Sequence, residues 1–295
     1  MSGTVLVRRS SLGDVVLLGA VTATVPRPVT VVTDARYVDL ARRLRGVDRA
    51  LSWDHRDEAI TAGAQIIDLQ GSLRTRRAFP GARRIHKRSL RRRAWLWWGL
   101  GTGRPPVPVL YAEAAGVEAW RPPWFDLPPG PRDTLLLVPG AAHRPKQPPI
   151  PLLAAAGRAW GGPVTILGGP GEEALAAELR GMVPGAVVLV EEGFDRTLDV
   201  MGRGAAILSG DTGLMHLGAA CGCPVVTLFG PTHPADGFGV HAGVVVQRDD
   251  LSCRPCALHR VDRCAMGDHR CMDLGEEQVL SALRQVTGAP CAGSS

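Results

Sequence analysis

Short apolar runs bounded by Gly, Pro or Asp recur along the chain. Thr4–Val7, Val29–Val32, Ile66–Leu69, Leu135–Val138, Val164–Leu167, Val187–Val190, Ala205–Leu208 and Val225–Leu228 read as buried strands. They are too short for helices and too continuous for strands with one wet face, which is the pattern of parallel strands covered on both sides. Helical spacing fills the gaps at Val15–Thr24, Tyr37–Leu44, Pro151–Trp160, Glu172–Met182, Thr197–Gly202, Leu214–Cys221 and Glu276–Val286. This alternation predicts an α/β protein with doubly wound parallel sheets. The segment Arg121–Arg132, rich in proline, is a stiff connection after which the strand pattern restarts. Two successive domains follow, 1–128 and 129–295. In such sheets ligands sit beyond the carboxyl ends of the strands, so the loops after strands are where chemistry is to be sought.

Composition excludes other classes. The chain has 295 residues, 45% apolar and 21% charged, with 36 Gly and 24 Pro. Gly and Pro together stay below the ~25–30% that marks low complexity. No apolar run approaches the ~20 residues that span a bilayer. Charge is uneven: residues 1–131 hold 21 basic and 11 acidic side chains, residues 132–295 hold 13 and 17. Between Leu69 and Ala112 there are eleven basic residues and no acid. Such a stretch suits an anionic partner (nucleic acid, phosphorylated lipid or an anionic membrane surface), or else a solvated basic face. Seven cysteines, an odd number in a chain of this size, favour a reducing compartment. Arg8-Arg9 before Val15–Val25 imitates a signal peptide, but Val5-Leu6-Val7 precedes the arginines and Ser10, Ser11 and Asp14 interrupt. The expectation is a cytoplasmic protein.

Six places carry candidate chemistry. Ser10-Ser11-Leu12-Gly13-Asp14 follows the first strand; Asp14 reads as a helix cap or as a general base. Ser209-Gly210-Asp211-Thr212-Gly213-Leu214-Met215-His216 joins a strand to a helix whose first N–H groups suit an anion. There Thr212 offers a hydroxyl, Asp211 a turn cap or a sugar contact, and His216 either a phosphate contact or a core histidine. Lys146 is one of two lysines, with Lys87, against 32 arginines. A chain that defaults to Arg and keeps Lys here points to a compact ammonium on a diphosphate. Gly168-Gly169-Pro170-Gly171-Glu172 is a glycine-rich loop after a strand, with Glu172 placed for ribose hydroxyls or for a helix start. Cys253, Cys256, Cys264 and Cys271 form a C-x2-C-x7-C-x6-C series, open between structural zinc and small buried residues. Arg74 to Arg93, followed by Trp95, Trp97 and Trp98, suits a wet–apolar interface or single-stranded nucleic acid.

Val5–Asp14, Val138–Lys146, the run Ser209–Gly230 with Pro231-Thr232-His233-Pro234, and the segment ending Gly267-Asp268-His269-Arg270-Cys271-Met272 together resemble glycosyltransferase family 9, the ADP-heptose:lipopolysaccharide heptosyltransferases. The resemblance implies a GT-B fold: two Rossmann-like domains facing a cleft, the first for the acceptor, the second for the nucleotide-sugar, with a last helix (about 276–287) packing back on the first. It implies inverting transfer of heptose from ADP-L-glycero-D-manno-heptose to the Kdo/heptose inner core of lipid A. By the same resemblance Asp14 is the base, and Lys146, Glu172, Asp211, Thr212, Gly213 and His216 bind the donor. The acceptor falls to Ser10, Ser11, Gly13, Arg74 and Arg77. No Asp-x-Asp pair occurs beside these motifs, which favours a metal-independent reaction without a cofactor, and the basic first half suits peripheral contact with the anionic inner leaflet rather than nucleic acid. A different nucleotide-sugar and surface glycan, or a non-catalytic nucleic-acid or lipid-binding role, stay open.

Overall fold

The computed structural model of the chain describes residues 3–87, 94, 98, 104–237, 239, 243–256, 261–264 and 266–288. Most of the Arg-Trp stretch after Lys87 lies outside the described residues. The chain forms two compact units, which part between Asp126 and Leu127.

The first unit is a five-stranded parallel sheet of β1 (Thr4–Val7), β2 (Val29–Thr33), β3 (Arg49–Ser52), β4 (Gln65–Asp68) and β5 (Arg83–Arg84), in the order β3-β2-β1-β4-β5. Its helices are α1 (Leu12–Val16), α2 (Gly19–Thr22), α3 (Val38–Arg42), α4 (Leu73–Ala78) and α5 (Val107–Ala115). Every residue of β1 is buried, as continuous apolar strands in a covered parallel sheet must be. The expected helix Val15–Thr24 is instead two short ones. The i→i+3 bonds Leu18 N–H to Val15 O and Ala20 N–H to Leu17 O, both 3.1 Å, tighten the chain between them. Strand order reverses direction at β1, so the loops after β1 and β4 flank the topological switch point.

The second unit is a six-stranded parallel sheet of β6 (Thr134–Val138), β7 (Val164–Gly168), β8 (Val187–Val190), β9 (Gly204–Gly210), β10 (Val225–Phe229) and β11 (Gly243–Gln247). The order is β11-β10-β9-β6-β7-β8. Helices α6 (Ile150–Ala159), α7 (Glu173–Met182), α8 (Phe194–Gly202), α9 (Gly213–Ala220) and α10 (Glu276–Thr287) complete it. The register ends with Val138 opposite Ser209, which brings the loops leaving β6 and β9 side by side. Both sheets are doubly wound, the class read from the apolar pattern.

Helix α10 buries Val279, Ala282 and Leu283 in the second unit's own core, against β9, β10, β11 and α6. No helix among the described residues is long and apolar enough to cross a membrane.

Candidate active site

In the first unit the chain leaves the carboxyl end of β1 at Arg8. Its Nη1 donates to the Leu69 carbonyl at 2.8 Å, and its Nη2 pairs with the Asp14 carboxylate. Ser11, not Asp14, is the N-cap of α1. Asp14 lies one turn in and accepts from the Ser11 N–H at 3.2 Å and the Ser11 hydroxyl at 3.0 Å. Asp14 as a plain cap is thereby corrected; its carboxylate is held in reserve by a capping-box hydrogen bond and an ion pair. Burial alone would raise Asp14, but the Arg8 charge and the hydrogen bonds from Arg8 and Ser11 outweigh it and hold the carboxyl below its ordinary range.

The loop after β4 supports this arrangement. Gln70 Oε1 accepts from the Arg9 N–H at 3.0 Å and the Ser10 N–H at 3.4 Å, joining the two loops at the switch point. Asp68, fully buried, accepts from the Gln70 and Gly71 N–H groups and from the Thr75 hydroxyl. Tyr111, from α5, donates to the Asp14 carbonyl at 3.3 Å. Gly13 is buried inside α1. Arg74 and Arg77 lie on the solvent side of α4; Arg74 reaches the face of Trp53 at 5.5 Å, which Arg9 and Arg56 also cover. Neither meets Asp14.

In the second unit, loops leaving β10, β9, β6 and β7 stand next to one another in the sheet order. Lys146 Nζ meets Asp211 Oδ2 at 2.6 Å, and the Thr232 hydroxyl donates to the same oxygen at 2.9 Å. Lys146 and Asp211 are 10% and 12% exposed, so the pair sits at the floor of the loops with an opening to solvent. Asp211 is therefore a lysine partner rather than a turn cap. The cap is Thr212, whose hydroxyl accepts from the Met215 N–H at 3.3 Å and bonds Ser209 at 3.0 Å. Gly213 opens α9; its amide and that of Leu214 belong to the set a helix leaves unsatisfied at its start. His216, one turn on, is buried.

One glycine is required by close approach to backbone, and a second leaves room for a carboxylate. A Cβ on Gly210 would lie 2.4 Å from the Lys146 carbonyl, so only glycine lets the two loops touch. A Cβ on Gly140 would lie 1.9 Å from the Glu172 carboxyl carbon. Glu172 Oε2 also accepts from the Gly169 N–H at 2.8 Å. The structure thus assembles Lys146, Asp211, Thr212, Gly213 and Glu172 on the loops of adjacent strands. Thr232, Gln70 and Arg8 were not singled out as site residues from the sequence, although Arg8 and Thr232 lie in segments that carry the resemblance.

The cysteine segment is anchored by Arg254, which donates to the carbonyls of Gly230, Arg248 and Thr232. Burial raises Cys256 and Cys271, and the neighbouring thiols add to it, whereas backbone N–H groups led by that of His269 lower Cys264. No group of three or more His, Cys, Asp or Glu side chains placed to hold a metal ion is found among the described residues.

Two doubly wound parallel-sheet units, with candidate groups at strand carboxyl ends, define the GT-B class of α/β transferase folds. Residues 122–264 match the model of glycosyltransferase family 9 (heptosyltransferase). A lipopolysaccharide heptosyltransferase 1 of Pseudomonas aeruginosa is 30% identical over 118 residues, 40% of this chain and 33% of that protein. The chain thus aligns with about a third of the length of that curated relative. A family 9 glycosyl transferase from Veillonella parvula superposes with a TM-score of 0.74 at 18% identity, covering 97% of both chains. The ADP-heptose lps heptosyltransferase II of E. coli gives 0.73 at 18% identity, covering 97% of this chain and 98% of that one. TibC of E. coli, described as iron-containing, gives 0.62 at 11% identity, covering 97% of this chain and 76% of that one.

Proposed function

We propose that the protein is an inverting glycosyltransferase that moves heptose from ADP-L-glycero-D-manno-heptose to the Kdo/heptose inner core of lipid A. The observation that carries this is the Lys146–Asp211 pair beside the start of α9, within the segment that matches family 9. The lipopolysaccharide heptosyltransferase relative supports the sugar and the acceptor.

Asp14 takes the proton of the acceptor hydroxyl as its oxygen bonds the anomeric carbon from the face opposite ADP. The anomeric C–O bond to the diphosphate breaks, and ADP departs with the electron pair. Lys146, exchanging Asp211 for phosphate, and the first amides of α9 neutralise the charge that develops on the leaving group. Glu172 holds the ribose, Asp211, Thr212 and His216 line the donor, and Ser10, Ser11 and Gly13 with Arg74 and Arg77 orient the acceptor. A base of this kind contributes roughly 10²–10⁴ in rate. The reaction runs at the cytoplasmic face of the inner membrane. The excess of 21 basic over 11 acidic residues in positions 1–131 supports peripheral contact with an anionic leaflet.

The test is ADP release with ADP-heptose and truncated lipid A cores, with mass analysis of the glycan. Heptose addition that Asp14→Asn abolishes is the expected result. Turnover only with another nucleotide-sugar would reassign the donor. Salt-sensitive binding of nucleic acid with no affinity for ADP would overturn the reading.

A further inference from the structure

We propose that the outer edge of the second unit's sheet, β8 with α7 above it, joins two copies of this chain about a two-fold axis. The inference is independent of the transferase reading.

Strand β8 pairs with β7 alone and ends the sheet order on that side. Exposed edges are ordinarily guarded by charge, proline or a bulge, because their unpaired N–H and C=O groups invite another strand. The first unit's edges carry arginine, two in β5 and Arg49 at the start of β3. β8 reads Val-Val-Leu-Val, without any such guard, and Val187 is 53% exposed. Beyond it the Glu191 N–H bonds the Gly168 carbonyl of β7 at 3.3 Å. Strand alternation then turns the main-chain groups of Val187 and Leu189 toward β7 and those of Val188 and Val190 outward. Val188 and Val190 are therefore the two residues able to bond a further strand. Glu191, at φ 58°, leaves the extended conformation and closes the edge.

Symmetry and charge identify the occupant as a second copy. An antiparallel copy centred on Leu189 sets Val188 opposite Val190 of its mate, and the reverse, so both outward residues exchange hydrogen bonds in one register. The side chains of Val188 and Val190 share a face. With Glu173, Ala177, Arg180 and Gly181 of α7 they line a groove of about 520 Å³. A helix lying over β7 and β8 would stand two strand spacings, about 10 Å, from its mate, close to the distance of packed helices. Small residues face that seam. Ala177 and Gly181 are exposed, and a Cβ on Gly181 would meet nothing within 4 Å. The charges obey the same axis. Glu173 and Arg180 lie near opposite ends of α7 and on the groove face. Helices crossing antiparallel near Ala177 bring Glu173 of each copy to Arg180 of the other. Both residues are exposed, and Arg180 has no side-chain hydrogen bond or ion pair with any described residue. The surface is thus complementary to itself in shape, main-chain pairing and charge, as a two-fold contact requires.

Sedimentation velocity of the full chain at low salt, over about a hundredfold range of concentration, reads the association. The sedimenting mass is expected to rise from one chain toward two. Val188→Lys sets ammoniums in the seam and abolishes the rise. Glu173→Arg and Arg180→Glu each bring like charges together and weaken association several-fold, and the double exchange restores it. Thermal melts check that each variant is folded. Should Val188→Lys unfold, the charge series carries the test, since both of its positions are exposed on α7. A chain that stays monomeric throughout overturns the proposal. A dimer that survives a folded Val188→Lys, or that ignores both charge reversals, lies on another face and does the same. Loss in both single reversals without recovery in the exchange refutes the two-fold pairing.

Discussion

Replacing Lys146 with Met separates a phosphate-binding lysine from a structural one. In the donor-free protein its ammonium satisfies Asp211 at 2.6 Å, and both side chains are about nine-tenths buried. Breaking a buried pair by removing one partner costs about 3–5 kcal/mol. Here Thr232 still donates to Asp211 at 2.9 Å, and the low end of that range applies. About 3 kcal/mol corresponds to a fall in melting temperature of about 6–12 °C for a unit of this size. Asp211→Asn breaks the same pair from the other side, keeps an acceptor for Thr232, and lowers the melting point similarly. The two variants part company on ADP. Lys146→Met removes a charge-assisted hydrogen bond worth about 1.5–3 kcal/mol and leaves a carboxylate facing the diphosphate. The dissociation constant therefore rises by about 10- to 150-fold. Asp211→Asn frees the ammonium, and ADP binds as well as or better than in the unaltered protein. Calorimetric titration with ADP beside thermal melts reads both quantities. If both variants weakened ADP equally, or if Lys146→Met left the constant within twofold while the melting point fell, Lys146 would be a structural cation and the phosphate role would be lost.

Asp14→Asn loses transfer by at least about 100-fold while remaining folded, measured as ADP release alongside circular dichroism. The same residue sets an acid limb. Its carboxyl is lower in the folded chain than the ordinary 3.8, so its contribution to stability is present above that pH and is lost as pH falls through the folded value. Denaturant titrations between neutral and strongly acid pH should show a shallower loss in Asp14→Asn. Gly140→Ala drives a methyl into the space of the Glu172 carboxylate and displaces that movable side-chain end, so ADP affinity weakens while the melting temperature changes little, as calorimetric titration beside thermal melts would show. Cys221 and Cys223, pushed up by burial to about 12, resist alkylation at pH 8. Cys264, lowered by backbone N–H groups, is modified before them, as peptide mass mapping would show.

How much the sequence revealed follows the physics of each signal. A strand covered on both faces must be apolar throughout, so β1, β6, β9 and β10 were legible as uninterrupted runs. Edge strands carry no such demand. β5 is two arginines paired only to β4, and β3 begins at an exposed arginine, so neither announced itself. The first helix was read too long because periodicity reports which side faces the core, not where the hydrogen bonds tighten at Leu17 and Leu18. The same distinction governs the site. Lys146, Thr212 and Glu172 stood out because rarity, a hydroxyl at a helix start and glycine neighbours are local properties. Their partners are not local: Thr232 reaches Asp211 across 21 positions, and Leu69 holds Arg8 across 61. A register set by parallel strands far apart in sequence decides those meetings. Side chains that only hold or charge a reactive group are therefore visible in the fold and silent in the chain.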